Sequence, residues 1–388
     1  MKMDRPDFDR VEQNVAALTA SWAHERPDRM ARQGLDPADF AALAGAGFTL
    51  TGAPEDVGGL WRGQTGAERA ESARRTGRLL AMLAGVDPSL ALVAAMHPTV
   101  LMSWINGPAT GGPQEWAQQR AFVFGAVKQG CWFGTISSEP GTGGDFHAVR
   151  AIAKPDGDGH WRMSGDKYMG SGSGVTSFMM TVARPEGEDQ PDLFLLDARD
   201  LSWDGSQGLA MTRPWDGAGM AATQSHAFRF DNVPVTRHAL RNVIAEMTPK
   251  NAPVAAYLFA SVFIGILEAA LQEARRQLAP RAERLGPFER SAWVRAMNGV
   301  WLARQAFDGM ERALVEDEAA AHAALHGKLA IAGQAEAAME SFGQAIGGAS
   351  LSRANPFAQW MQDVRALGHL RPPRALIHAR LFEDAAAM

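Results

Sequence analysis

Hydrophobic positions along the 388-residue chain change period twice. From Val11 to about Gln129 apolar residues recur at helical spacing. "DPADFAALAGAGF" offers Asp36 as an N-cap before Pro37, followed by Phe40, Leu43 and Phe48. "GAPEDVGGLWRG" is rich in turn formers. "AERAESARRTGRLLAMLAGV" and "SLALVAAMHPTVLMSWI" read as two further helices, the second largely buried. Near Cys131 the pattern shortens to runs such as "CWFGTISS", "HWRMSGDKYMG", "SFMMTVARP" and "AFRFDNV", separated by Gly, Pro, Asp and Asn. "PDGDGH" between two of them signals a hairpin, with Asp156 and Asp158 at its solvated tip. From about Pro253 the helical period returns and persists, with a break predicted between Glu316 and Ala319. The pattern predicts a multidomain α+β chain. Residues 1–128 form an N-terminal helical domain, 129–240 a middle β domain and 241–388 a C-terminal helical bundle.

Composition narrows the function. With 46% hydrophobic and 21% charged residues the chain is ordinary globular material. A net charge of -5 provides no broad cationic field for nucleic acid or an anionic membrane. Cys131 is the only cysteine, which excludes an internal disulfide and fits a reducing compartment. The charged start "MKMDRPDFDR" lacks a signal-peptide core, and no run of about 18 apolar residues stands out as a membrane span. A cytoplasmic location is expected.

One stretch carries chemistry. "TISSEPGTGGD", Thr135 to Asp145, leaves the first β run and enters a bend. Gly141, Gly143 and Gly144 there let the backbone approach a flat or anionic ligand. No helix and second parallel strand follow, so this is not a dinucleotide fingerprint. "MSGDKYMGSGSG", "WDGAGMAATQSHAFRFDNVPV" and "FGQAIGGASLSRANPFAQWMQDVR" follow in order, and "APEDVGG" precedes. Together these five segments resemble the flavin-binding motifs of the acyl-CoA dehydrogenase superfamily over nearly the whole chain.

The resemblance implies a helical domain, a β-barrel-like middle domain and a C-terminal four-helix bundle. FAD, with FMN as the alternative, would lie between barrel and bundle in a homodimer or homotetramer. Thr135, Ser137 and Ser138 fall where the superfamily contacts the flavin ring. Gly143 and Gly144 fall near the pyrophosphate, Gly144 replacing a frequent Ser. Ser171 matches a hydroxyl residue near the reactive flavin nitrogen, and Met169 replaces a frequent aromatic beside it. Gln344 to Gly348, including Gly347, match the segment that meets a partner subunit's flavin. In "PRAERLGPF" either Arg281 or Arg284 matches a flavin-binding arginine.

The dehydrogenases need a carboxylate base to remove a proton beside a thioester carbonyl. Counting forward from Asp363 puts Arg371 at its usual position, and counting back from the final "ARL" puts Leu367 there. The alternative position on the first bundle helix is Ala255. Neither place holds an acid. His369 follows six residues after Asp363, and several members of the superfamily's monooxygenase branch carry a histidine near this point. Histidine titrates near neutral pH and suits proton relay. His97 is a second candidate, weighed against a buried structural role.

The resulting expectation is a flavin-dependent oxidoreductase. A reduced-flavin monooxygenase is favoured, acting on an aromatic or other apolar small molecule and served by a separate flavin reductase or electron-transfer partner. An acyl-CoA dehydrogenase with an unusual base and a catalytically silent flavin-binding or scaffolding subunit are the rivals. Glu139 and Asp145 are poor bases because the superfamily uses that turn structurally. Trp132, Trp203 and Trp215 stand near the site or in the packing. His322 and His326, four apart on one helix, have no evident third ligand, so no metal is expected.

Overall fold

Several helices begin where a side chain accepts an otherwise unpaired end N–H. The structure, a computed structural model, describes residues 7–107, 113–157 and 159–386. Asp7 caps α1 (Phe8–Trp22), which is followed by α2 (Arg26–Ala31). Asp36 caps α3 (Pro37–Gly45) through the Ala38 N–H, as its sequence position predicts. A reciprocal Thr65–Glu68 capping box starts α4 (Gly66–Ala84). Asp87 caps α5 (Pro88–Ile105), and α6 (Gln114–Lys128) completes the first helical layer.

α5 runs straight through Pro98, which its sequence marks as a helix breaker. Gly52 packs against Pro98 and leaves room for it. Burial of nearly the whole helix offsets the one internal N–H that proline removes. α5 also corrects the expectation that no run is apolar enough to span a membrane. Pro88–Ile105 and the stretch Pro249–Arg284 both qualify by length and composition. Both windows are mostly buried among other helices, so their apolar faces are accounted for by the core.

The strands are β1 (Phe133–Thr135), β2 (Ile152–Pro155), β3 (His160–Gly170), β4 (Phe178–Pro185), β5 (Asp192–Asp197), β6 (Leu209–Arg213) and β7 (His226–Arg237). β4, β2, β3, β7 and β5 pair in that order, and β5 pairs back onto β4, which closes a five-stranded barrel. β1 adds in parallel to β4, and β6 adds to β7. Met163, Phe194, Phe228, Phe230 and Val233 fill the barrel. The predicted hairpin joins β2 to β3. Asp156 at its tip pairs with Arg162, and Asp158 lies outside the described residues.

Helices return with α7 (Val243–Glu246), α8 (Thr248–Leu278), α9 (Pro287–Ala313), α10 (Asp317–Ile346), α11 (Pro356–Asp363) and α12 (Arg374–Ala386). The break between α9 and α10 falls at Leu314–Glu316. Only three of these helices are long. The place of a fourth long helix is taken by a broken segment of α11, a short 3-10 turn over Val364–Gly368, and α12. Gly368, Pro372 and Pro373 interrupt this segment, because proline cannot donate to a helical ladder. α4 and α5 pack on α8, so the first and last helical regions share one core.

Candidate active site

β1 runs parallel to β4 with Thr135 opposite Met180, and the next residues carry the chain out of the barrel. The Thr135 and Ser137 hydroxyls both turn back onto the Met180 carbonyl, at 3.1 and 3.3 Å, and contact each other at 2.9 Å. Ser138 instead faces Tyr168 across an isolated bridge, its carbonyl accepting the Tyr168 N–H at 2.8 Å. The first expected ring segment, Thr135–Ser138, is thus brought beside the second, Met169–Ser171.

Glu139 anchors the bend that follows. Its buried carboxylate accepts the Arg150 N–H at 2.6 Å, the Ala151 N–H at 3.1 Å and the Lys167 ammonium at 2.6 Å. Lys167 is fully buried, and desolvation pulls its pKa down against the pull of Glu139. Glu139 is therefore a structural ion-pair partner, with no free oxygen for proton abstraction. Gly143 and Gly144 follow at φ 60° and 88°, and a Cβ at Gly143 would meet open space. This left-handed backbone leaves an accessible, side-chain-free cradle.

At the end of β3 the pairing with β7 slips between Lys167 and Gly170. This bulge re-aims the strand. Met169 sits there at φ 59° and is 51% exposed, a strained backbone state for a side chain of that kind. Gly170 is required because a Cβ would lie 2.7 Å from Ile136 Cδ1. Ser171 begins a buried hydroxyl chain, 2.7 Å to Ser225, which is in turn 2.7 Å from Thr223. Thr223 donates to the Met220 carbonyl at 2.8 Å, and the Met220 N–H is held by Asp363 at 2.6 Å. Asp363 is fully buried, and desolvation lifts its pKa to about 7 despite hydrogen bonds from Met220 and Gln359. Through it the loop before β7 is tied to the end of α11.

The tail reaches the same place. Arg371 donates to Ser138 Oγ at 2.9 Å, and its guanidinium lies 3.8 Å from the centroid of the Phe146 ring. Pro373 packs against Gly144. Burial lowers the Arg371 pKa to about 10, with Asp145 opposing the shift. Lys328, buried on α10, donates to the Leu370 and Pro372 carbonyls at 2.6 and 2.7 Å. Burial, reinforced by Arg374, lowers its pKa to about 7. Sequence reasoning names Arg371 only as the occupant of an acid's position, and no local pattern marks Lys328.

Other predicted residues fall elsewhere. His97 is fully buried between α5 and β1. Its Nδ1 accepts the Phe133 N–H at 3.1 Å, so the proton sits on Nε2, which donates to the Thr49 carbonyl at 3.0 Å. Desolvation lowers its pKa to about 4. Both nitrogens serve the backbone, and the geometry corrects His97 from a catalytic candidate to a structural linker. Trp132 stacks on Phe48 beside it in the core. His369 ends the 3-10 turn, exposed in the protomer, while Arg371 takes the contact with Ser138. Arg281 donates to the Ala345 and Ile346 carbonyls at 3.1 and 2.8 Å, which caps α10 just before Gly347 and Gly348; Arg284 is exposed. Gln344 accepts from Arg295 at 2.7 Å on the same surface. This second cluster joins the end of α10 to the turn between α8 and α9. Among the described residues no third ligand joins His322 and His326.

Residues 134–233, which contain the barrel cluster from Thr135 to Ser225, match the family model of the acyl-CoA dehydrogenase middle domain. The chain contains an acyl-CoA dehydrogenase middle domain. It is 25% identical over 345 residues to the amino sugar nitrososynthase DnmZ of Streptomyces peucetius, covering 82% of this chain and 78% of that protein. It is 26% identical over 215 residues to the dibenzothiophene monooxygenase of Mycolicibacterium goodii, covering 52% and 48% of the two chains. The fold matches FMN-bound TdsC from Paenibacillus sp. A11-2 with a TM-score of 0.77 at 18% identity, over 95% of each chain.

The superfamily's flavin is compatible with the residues present. The cradle is open at Gly143, Ser138 and Thr135 are half-buried rather than sealed, and Met169 is exposed at the barrel end. Arg371 supplies a positive charge beside them. Of the described carboxylates nearby, Asp145 accepts the His147 N–H. Glu139 is held by Lys167 and two backbone amides, and Asp363 by Met220 and Gln359.

Proposed function

We propose that this flavin-dependent oxidoreductase is a reduced-flavin monooxygenase acting on a small organic molecule. One observation carries the reading. The two positions where acyl-CoA dehydrogenation would need a carboxylate hold Arg371, which donates to Ser138, or the buried Leu367, and neither is an acid. A guanidinium cannot accept the substrate's α-proton at working pH. Ala255, at the alternative base position, cannot either.

Bound reduced flavin would supply the two electrons that split dioxygen, one oxygen atom passing to the substrate and the other leaving as water. The chain's own part is to hold and shield. Ser138 and Ser171 line the ring edge, Gly143 and Gly144 receive the phosphate side, and the Arg371 charge favours electron-rich species beside Ser138. Arg281 and Gln344 to Gly348 face the flavin of a second protomer in a homodimer or homotetramer. Exposed Gly347 and Gly348 and the 74% exposed Leu351 support that reading. FMN is favoured over FAD because TdsC is described with FMN bound. A separate reductase supplies the reduced flavin.

The match to DnmZ favours a second reading, oxidation at the nitrogen of an amino sugar. Both readings share the oxygen chemistry and differ in the substrate atom attacked. An anaerobic titration with acyl-CoA thioesters separates them from dehydrogenation. The expected result is no bleaching of the flavin by thioesters, and oxygen uptake once the flavin is chemically reduced. Bleaching by a thioester would overturn the proposal.

A further inference from the structure

A buried lysine, Lys328, and the half-buried Arg371 meet at the Leu370–Pro372 loop, and neither has a carboxylate ion pair among the described residues. Lys328 is held by backbone carbonyls alone, one on either side of Arg371. It therefore fixes the loop from behind and leaves the Arg371 side chain to face the barrel. There the guanidinium lies against Phe146 and gives one N–H to the Ser138 hydroxyl. No other acceptor for it is found among the described residues.

The charged groups around it are already committed. Glu139 pairs with Lys167, and Glu336 pairs with Arg374. Asp145 accepts the His147 N–H and acts on Arg371 only at longer range. Removing a guanidinium from water without an anion is unfavourable, and its planar fork matches an oxyanion. The ring of Phe146 adds apolar surface beside it.

We propose that Arg371, positioned by Lys328, is the anion-recognition residue of this cleft, and that the substrate carries a carboxylate, sulfonate or phosphate on a small apolar body. This rests on the monooxygenase reading for the identity of the cleft and adds the class of substrate to it. The shared feature is a delocalised oxyanion, which an arginine fork binds through two parallel N–H donors.

Benzoate, benzenesulfonate and phenyl phosphate, with benzamide as the uncharged match, are titrated calorimetrically into the full chain. Each titration is run without flavin and with oxidised FMN. At least one anion is expected to bind roughly 10- to 100-fold more tightly than benzamide, in line with hydrogen bonds to a charged group. Arg371→Met removes that preference. Arg371→Lys keeps the charge, loses the fork and retains part of it. Lys328→Met weakens anion binding, and circular dichroism verifies that each variant is folded. Equal binding of anions and benzamide, absence of binding in both arms, or an undiminished preference in Arg371→Met overturns the proposal. If Arg371→Met shifts the FMN midpoint potential while benzoate binding is unchanged, the guanidinium serves the reduced flavin and the substrate assignment is wrong. An anion preference in a chain that binds no FMN would defeat the monooxygenase reading and leave anion recognition standing.

Discussion

Arg371 and Ser138 are joined by a 2.9 Å hydrogen bond across 233 residues of sequence, so the last loop of the chain closes on the first turn out of the barrel. His369, two residues earlier, points into solvent in the protomer. The two side chains therefore make opposite predictions. With reduced flavin and substrate supplied, Arg371→Met lowers kcat/KM by roughly 10- to 100-fold, the range for a charged hydrogen-bonding group. Ser138→Ala lowers it by only about fivefold, one neutral partner being lost. His369→Ala stays within about twofold of the parent. A large loss in His369→Ala would return the proton-relay role to that histidine.

The Glu139–Lys167 pair is a stability element beneath the site. Both side chains are almost wholly buried, and Glu139 also satisfies two backbone N–H groups. Removing one partner leaves an uncompensated buried charge, so Lys167→Met is expected to cost about 3–5 kcal/mol in urea unfolding. Glu139→Gln/Lys167→Met should cost clearly less than the sum of the single changes. Additive costs in the double-mutant cycle would mean that the two groups do not share one interaction.

The bend was readable in advance because its backbone demands glycine. The positive φ angles at Gly141, Gly143 and Gly144 restrict side chains locally, and local restrictions leave a mark in sequence. The barrel was legible as short runs divided by turn formers, although its closure through β5 onto β4 was not, since nothing in a single strand records its partner. The tail was read least well. Its candidate histidine follows from a resemblance and from the chemistry of the residue type, whereas the contact that forms depends on Lys328, 42 residues before Leu370, gripping two carbonyls. A lysine whose acceptors are main-chain atoms has no partner residue to find in sequence. His97 keeps two readings in sequence for a related reason. A buried histidine satisfied by a backbone N–H and a backbone carbonyl looks the same in sequence as a reactive one.

His97 gives a prediction with a definite pH sign. Its folded pKa of about 4 lies below the ordinary value of 6.5, so between these pH values the unfolded chain binds a proton that the folded chain refuses. Its contribution is complete above about pH 6.5 and is lost as pH falls toward 4, by roughly 3 kcal/mol. In His97→Gln this acid-side loss should shrink. Stability at pH 7.5 should also fall by about 1–3 kcal/mol, as the bonds to Phe133 and Thr49 are strained or lost. Unfolding by urea at several pH values measures both. A catalytic role would show instead as lost turnover in a variant of unchanged stability.

Asp363 carries the opposite sign. Its carboxyl is raised from 3.8 to about 7 by burial, so from about pH 4 to 7 the folded chain keeps a proton that the unfolded chain has released. Stability from this group is undiminished below about pH 4 and falls as pH rises to about 7 and beyond, by roughly 4 kcal/mol in all. The amide oxygen of Asp363→Asn can still accept the Met220 N–H and has no proton to lose. The variant should therefore be more stable than the parent at pH 8 and similar to it near pH 4. That difference, followed by urea unfolding across the range, isolates Asp363 from the other titrating groups. Because Met220 also accepts from Thr223 at the end of the Ser171 hydroxyl chain, the pH at which Asp363 ionises should also mark a change in flavin affinity, absent in Asp363→Asn. Flavin binding that shows the same pH dependence in both proteins would disconnect the carboxyl from the site.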